Sequence, residues 1–126
     1  MTDPLLNHIE SARQLLGRPM PESAVELTEL LTRVQEHVIA ALDETMARAA
    51  LGGASLRAIA SSAQVAPNTV PPRLARSAVL GSYAEGGRVS AEGLAVARAD
   101  QRQQQAEDGP TSKPAFTFIP RRRTTP

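Results

Sequence analysis

The chain has no cysteine and no tryptophan, and its only aromatic residues are Tyr83, Phe116 and Phe118. Without thiols there is no disulfide and no thiolate metal centre, which fits a reducing compartment. With so few aromatics, a core must be built from Leu, Val, Ile, Met and many alanines. Such small side chains suit closely packed helices, and each buries little area. No run approaches the roughly 20 apolar residues of a membrane span, so no membrane partner is expected. The opening residues, MTDPLLNHIE, lack the basic start and apolar stretch of a secretory signal. Together these absences predict a cytoplasmic protein.

Acid is missing from one region. The 126 residues carry a net charge of +1, but unevenly. Residues 1–50 hold eight acids against four arginines, a net −4. Residues 51–84 hold Arg57, Arg73 and Arg76 and no acid, a net +3. Residues 85–126 add +2. Such segregation predicts that the middle can approach an anion and that the N-terminal part cannot.

The periodicity that is present is helical and predicts an all-α fold. Leu5, Ile9, Ala12 and Leu16 fall at three- and four-residue steps and predict a short helix over 5–16, stopped by Gly17. Pro21 and Glu22 suit the first turn of a long helix over 22–51. Its stripe includes Leu27, Leu31, Val34 and Val38, a candidate homodimer seam. Packing within the chain is the competing use of that stripe. Gly52-Gly53 ends the helix.

Ser55 is a good N-cap for a helix over 55–63. A second short helix is predicted from Pro67 or Pro71 to about Leu80, then a glycine-marked loop. Ser90 caps a last, marginal helix to about Gln105, with only Leu94, Val96 and Ala97 to bury. From residue 107 the composition turns to Pro, Gly and hydroxyl residues, predicting a disordered tail that ends in Arg121-Arg122-Arg123. The expected organisation is thus 1–51, 52–84, 85–106 and 107–126.

Residues 55–77, SLRAIASSAQVAPNTVPPRLARS, carry the most specific pattern. Leu56 and Ile59 point inward and Ala60 sits where a second helix would cross. Ala63-Gln64-Val65 forms the turn, and Val70 and Leu74 bury the second helix. This stretch resembles the helix-turn-helix of bacterial DNA-binding regulators. The alanine-rich style, with thirteen arginines to one lysine, is similar to small actinobacterial proteins of plasmids and other mobile elements. The resemblance implies double-stranded DNA as partner and a role as transcriptional regulator or accessory factor. It assigns Arg57 and Arg76 to phosphates, and Asn68, Thr69 and Arg73 to the groove. The terminal arginines would add phosphate attraction.

Two positions depart from that pattern. Gln64 stands where a left-handed turn favours glycine, at a cost of about 1–2 kcal/mol. Pro71-Pro72 would each cost about 3 kcal/mol inside a helix. Both are acceptable if a helix begins at Pro71 or Pro72, after a single turn over 67–70. Prolines donate no hydrogen bond to base edges, so direct reading would be weakened. The alternative function is a helical interaction protein that does not bind DNA, such as an accessory factor of plasmid transfer or spread.

Nothing points to an enzyme, a metal or a cofactor. His8 and His37 have no carboxylates at ligand spacing, and no glycine-rich phosphate loop occurs. Ser61, Ser62 and Ser82 lack a base in a recognisable arrangement.

Overall fold

The computed structural model describes residues 3–112. Among these the chain forms five α-helices and no strand, in agreement with the all-α expectation. Helix α1 spans Pro4–Leu16. Asp3 caps it, its carboxylate accepting the Leu5 N–H at 2.9 Å, and Pro4 occupies a first turn that has no use for an N–H. Helix α2 spans Ala24–Leu51, starting two residues later than the predicted 22–51. The reason is Ser23, whose Oγ accepts the N–H groups of Val25 and Glu26. That side-chain cap fixes the start more strongly than the first-turn preference of Pro21.

The two helices run antiparallel. Asp3 pairs with Arg48 near one end, the rings of His8 and His37 meet at 5.6 Å between centroids, and Ala12 and Leu15 pack on Val34 with Leu30 alongside. Val34, expected at a dimer seam, is therefore buried inside the chain, and Leu27 is half-buried.

The larger core lies at the other end of α2. Met46, Ala47 and Ala50 meet α3 (Leu56–Ala63), α4 (Val70–Ala75) and α5 (Ala91–Ser112). Val70, Leu74 and Leu80 are fully buried there. Ser55 caps α3 as expected, accepting the Ala58 N–H at 3.0 Å.

Helix α4 ends at Ala75, short of the expected Leu80. The buried Ser77 hydroxyl explains this. It donates to the Leu74 carbonyl at 2.7 Å and accepts the Leu80 N–H at 3.0 Å, supplying the partners that a continued helix would have provided.

Beyond the turn Gly81–Tyr83, Gly86 and Gly87 both take positive φ, 62° and 79°. These two values suit a tight reversal, which is closed by an isolated bridge between Glu85 and Arg88. Ser90 caps α5 through the Gly93 N–H. A side chain at Gly93 would strike the Tyr83 carbonyl, which an added Cβ would approach to 2.8 Å.

Leu94 and Ala97 are buried on α5 as expected, but Val96 is exposed. Arg98 crosses to the carbonyls of Ala50 and Ala54 and closes the end of α2. Helix α5 continues past the expected stop near Gln105, since 101–107, QRQQQAE, are good helix formers with no breaker among them. The tail predicted from 107 therefore begins inside this helix. Its arginines, Arg121, Arg122 and Arg123, lie outside the described residues.

Candidate nucleic-acid interface

Helices α3 and α4 bury the residues that the 55–77 pattern turns inward. Ile59 and Ala60 are buried on α3, and Leu56 and Val65 are half-buried against the same core. At the turn, Gln64 takes the left-handed conformation, φ 60° and ψ 44°. The Val65 N–H reaches back to the Ala60 carbonyl at 3.0 Å. That bond, together with Val65 seated in the core, offsets a backbone cost of about 1–2 kcal/mol for a non-glycine residue.

The two prolines find their place here. Pro67–Thr69 forms a single 3-10 turn and α4 begins at Val70, so Pro71 and Pro72 lie in its first turn. Neither removes a bond the helix would have made. Val70 is helical, φ −69° and ψ −49°, a region disfavoured before proline. Its complete burial outweighs that preference. The Pro71 carbonyl accepts the Val89 N–H at 3.1 Å, tying α4 to the loop before α5.

The cost of this solution is length. Helix α4 has six residues, and its outer side offers little to a groove. Asn68 and Thr69 are exposed at its entrance. The Thr69 hydroxyl donates to the Ala66 carbonyl at 2.7 Å, which leaves its oxygen free to accept. Arg57 is exposed on α3.

Arg73 lines the same hollow as Asn68, Thr69 and Arg76, but its guanidinium is held. Its Nε donates to Asp43 Oδ1 at 2.7 Å, and its side chain is only 15% exposed. Asp43 is itself buried and holds Arg76 through its other oxygen at 3.2 Å. The Arg76 side chain is 61% exposed, so it can swing outward while Arg73 cannot. The two cations of α4 thus share one carboxylate from α2. Asn68, Thr69, Pro72, Arg73 and Arg76 line one shallow hollow together with Ile39 and Leu42 of α2.

Sequence reasoning missed Asp43, Ile39 and Leu42. A signal for Asp43 was present: Ala47 and Ala50 follow it at four and seven residues, so it shares a face with two side chains suited only to close helix contact. The neighbouring Glu44 is also buried. One of its oxygens accepts the Ala78 N–H, and the other has no partner among the described residues. Tyr83 packs against the core partly buried, and its hydroxyl donates to Asp100 at 2.7 Å. That bond, which favours the neutral phenol, raises the Tyr83 pKa above 10.0.

Among the described residues no cluster of His, Asp or Glu is arranged to hold a metal ion. No helix there is long and apolar enough to cross a membrane. No family model matches this chain, and neither the curated proteins nor the solved structures provide a match to it.

Proposed function

We propose that the chain is a cytoplasmic helix-turn-helix protein that binds double-stranded DNA, as a regulator or accessory factor of the kind carried by plasmids and other mobile elements. One observation supports this most: α3, the left-handed turn at Gln64 and α4 form a buried pair that leaves Arg57, Asn68, Thr69 and Arg76 exposed. The acid-free stretch 51–84 covers the whole motif.

Recognition in this reading rests more on phosphates than on base edges. Two prolines occupy the start of α4, and Arg73 is engaged by Asp43. A homodimer belongs to the same proposal, because helix-turn-helix proteins gain affinity by spanning two half-sites.

The test is fluorescence anisotropy with random-sequence duplex DNA at low salt. Binding is expected, with a linear fall of log affinity against log salt. Arg57→Ala and Arg76→Ala should each lower that slope by about one. No binding at low salt would overturn the reading. In its place would stand an interaction protein, which the short α4 and the neutralising Asp43 also suit.

A further inference from the structure

The α1–α2 hairpin leaves one side uncovered. On one flank of the seam the rings of His8 and His37 meet. The other flank carries Ile9 and Leu16 of α1 and Leu31 and Val38 of α2, since the helices are antiparallel and each pair lies on the far side of its helix from the histidine. Leu16 is 60% exposed, Leu31 48% and Val38 50%.

On α2 this flank is continuous. At about 100° per residue, Leu31, Val38, Leu42, Thr45 and Ala49 share a sector of about 60°. No charged side chain of α2 falls within it. Toward the C-terminal end the same sector becomes one wall of an apolar groove of about 220 Å³, with Ala58, Ile59 and Ala63 of α3 opposite. A single flank therefore presents an aliphatic ridge at one end and an apolar groove at the other.

We infer that this flank binds a second copy of the chain, through a twofold antiparallel crossing of α2 on α2 near Val38. The proposal rests on the dimer reading above and names its surface. The geometry selects a copy of this chain as the occupant. A twofold axis at Val38 places Leu31 of one copy opposite Thr45 of its partner, so each ridge enters the other's groove. Leu16, lying beside the N-terminal half of α2, is carried toward the partner's α3. Charge does not oppose it: the acids of α2 lie outside this sector, so two copies meet here without a like-charge contact. A parallel crossing would instead set ridge on ridge and groove on groove. Leu27 and Val34 of the original stripe are not used, being engaged by α1 or half-buried.

The experiment is sedimentation equilibrium of the full chain, without DNA, from 1 to 100 μM, a range that brackets a weak association of about −6 to −8 kcal/mol. A dimer of the 13.4 kDa chain is expected. Leu31→Glu and Ala58→Glu change exposed or groove-wall positions on the two halves of the contact. Each should give a monomer that keeps its circular dichroism and its unfolding midpoint within a few degrees. Because the chain has no cysteine, the crossing can be read directly. Val38→Cys should oxidise to a disulfide with its own copy. Leu31→Cys should do so only when mixed with Thr45→Cys. A monomer at 100 μM overturns the inference together with the dimer reading. A dimer that survives Leu31→Glu, or Leu31→Cys pairing with itself, overturns the surface alone. In either case the DNA reading stands or falls by its own measurement.

Discussion

The two ends of α2 are packed very differently. At the C-terminal end eleven buried residues, drawn from α2, α3, α4, α5 and the loop before it, enclose one another. At the N-terminal end only Ala12, Leu15 and Val34 are buried, between two helices. Both ends use aliphatic residues of similar kind. What differs is how many elements cover the helix, because a two-helix layer buries one stripe of each and leaves its flanks wet. The first end is enclosed from several sides, and the second is covered by α1 alone.

The sharpest test of that difference is a matched pair of truncations. Leu74→Ala, in the enclosed core, should cost about 4 kcal/mol, within the range for a buried leucine. Urea unfolding should show it as a loss for the whole domain. Leu15→Ala should cost about 2 kcal/mol, at the low end of that range because the site can collapse. Hydrogen exchange should show it as lost protection in α1 and the first turns of α2, with α3 and α4 unchanged. Equal and global losses from both would mean the two ends fold as one unit.

The next test concerns the buried pair between α2 and α4. Asp43→Ala leaves Arg73, largely enclosed, without its partner, which should cost about 3 kcal/mol. Asp43→Asn keeps an acceptor for Arg73 and should cost less. It also frees Arg76, so under the DNA reading the variant should bind duplex DNA more tightly than the parent at low salt. Anisotropy and urea unfolding on the same samples separate the two effects. A variant that loses stability without gaining affinity would favour the interaction-protein reading.

These contrasts mark what the residues alone could reveal. The helix over 5–16 was legible from its periodicity and the stop at Gly17, and that over 55–63 from its inward Leu56 and Ile59 and the Ser55 cap. The Gln64 turn was legible as a departure, since only one position in the pattern calls for a left-handed residue. Pairings across the chain were not legible. Asp43 lies 30 residues before Arg73, and although its face could be read from Ala47 and Ala50, nothing local says which cation it will meet. The stop after Ala75 was hidden for a related reason: Ser77 ends α4 only because burial aims its hydroxyl at Leu74 and Leu80. The stripe on α2 was visible, but how it divides between α1 and the open flank depends on the angle at which α1 packs.

A smaller effect sharpens the account of α4. Pro72 is partly buried in its first turn, whereas Pro71 is buried. Pro72→Ala removes stiffness from the unfolded chain without touching a native hydrogen bond. It should lower stability by about 0.4–1 kcal/mol. If the variant instead melts above the parent, the proline is strained in place and the first-turn account of α4 fails.

The smallest effects are set by two surface clasps, one for each end of the comparison, and they open at opposite ends of the pH scale. At the weak end the Arg48 guanidinium, helped by the Leu5 N–H, holds the Asp3 carboxyl below its usual 3.8. A carboxyl lowered in the folded state contributes stability that is fully present above the unfolded value. It is lost as pH falls through the folded one. Acid below 3.8 should therefore loosen α1 first, and Asp3→Asn should abolish that part of the response. At the strong end Tyr83 donates to Asp100, and its raised pKa reverses the sign. Its contribution is complete below 10.0 and is lost as pH rises through the folded value. Tyr83→Phe should remove it. Carboxyl-carbon chemical shifts for Asp3 and ultraviolet titration of the lone tyrosine read each group separately. Amide exchange shows which helices respond. Both clasps are exposed to solvent, so the expected changes are confined to α1 in acid and to α5 in alkali, without global unfolding. Loss of α3 and α4 protection together with α1 near pH 3 would show that the hairpin and the enclosed core are one cooperative structure after all.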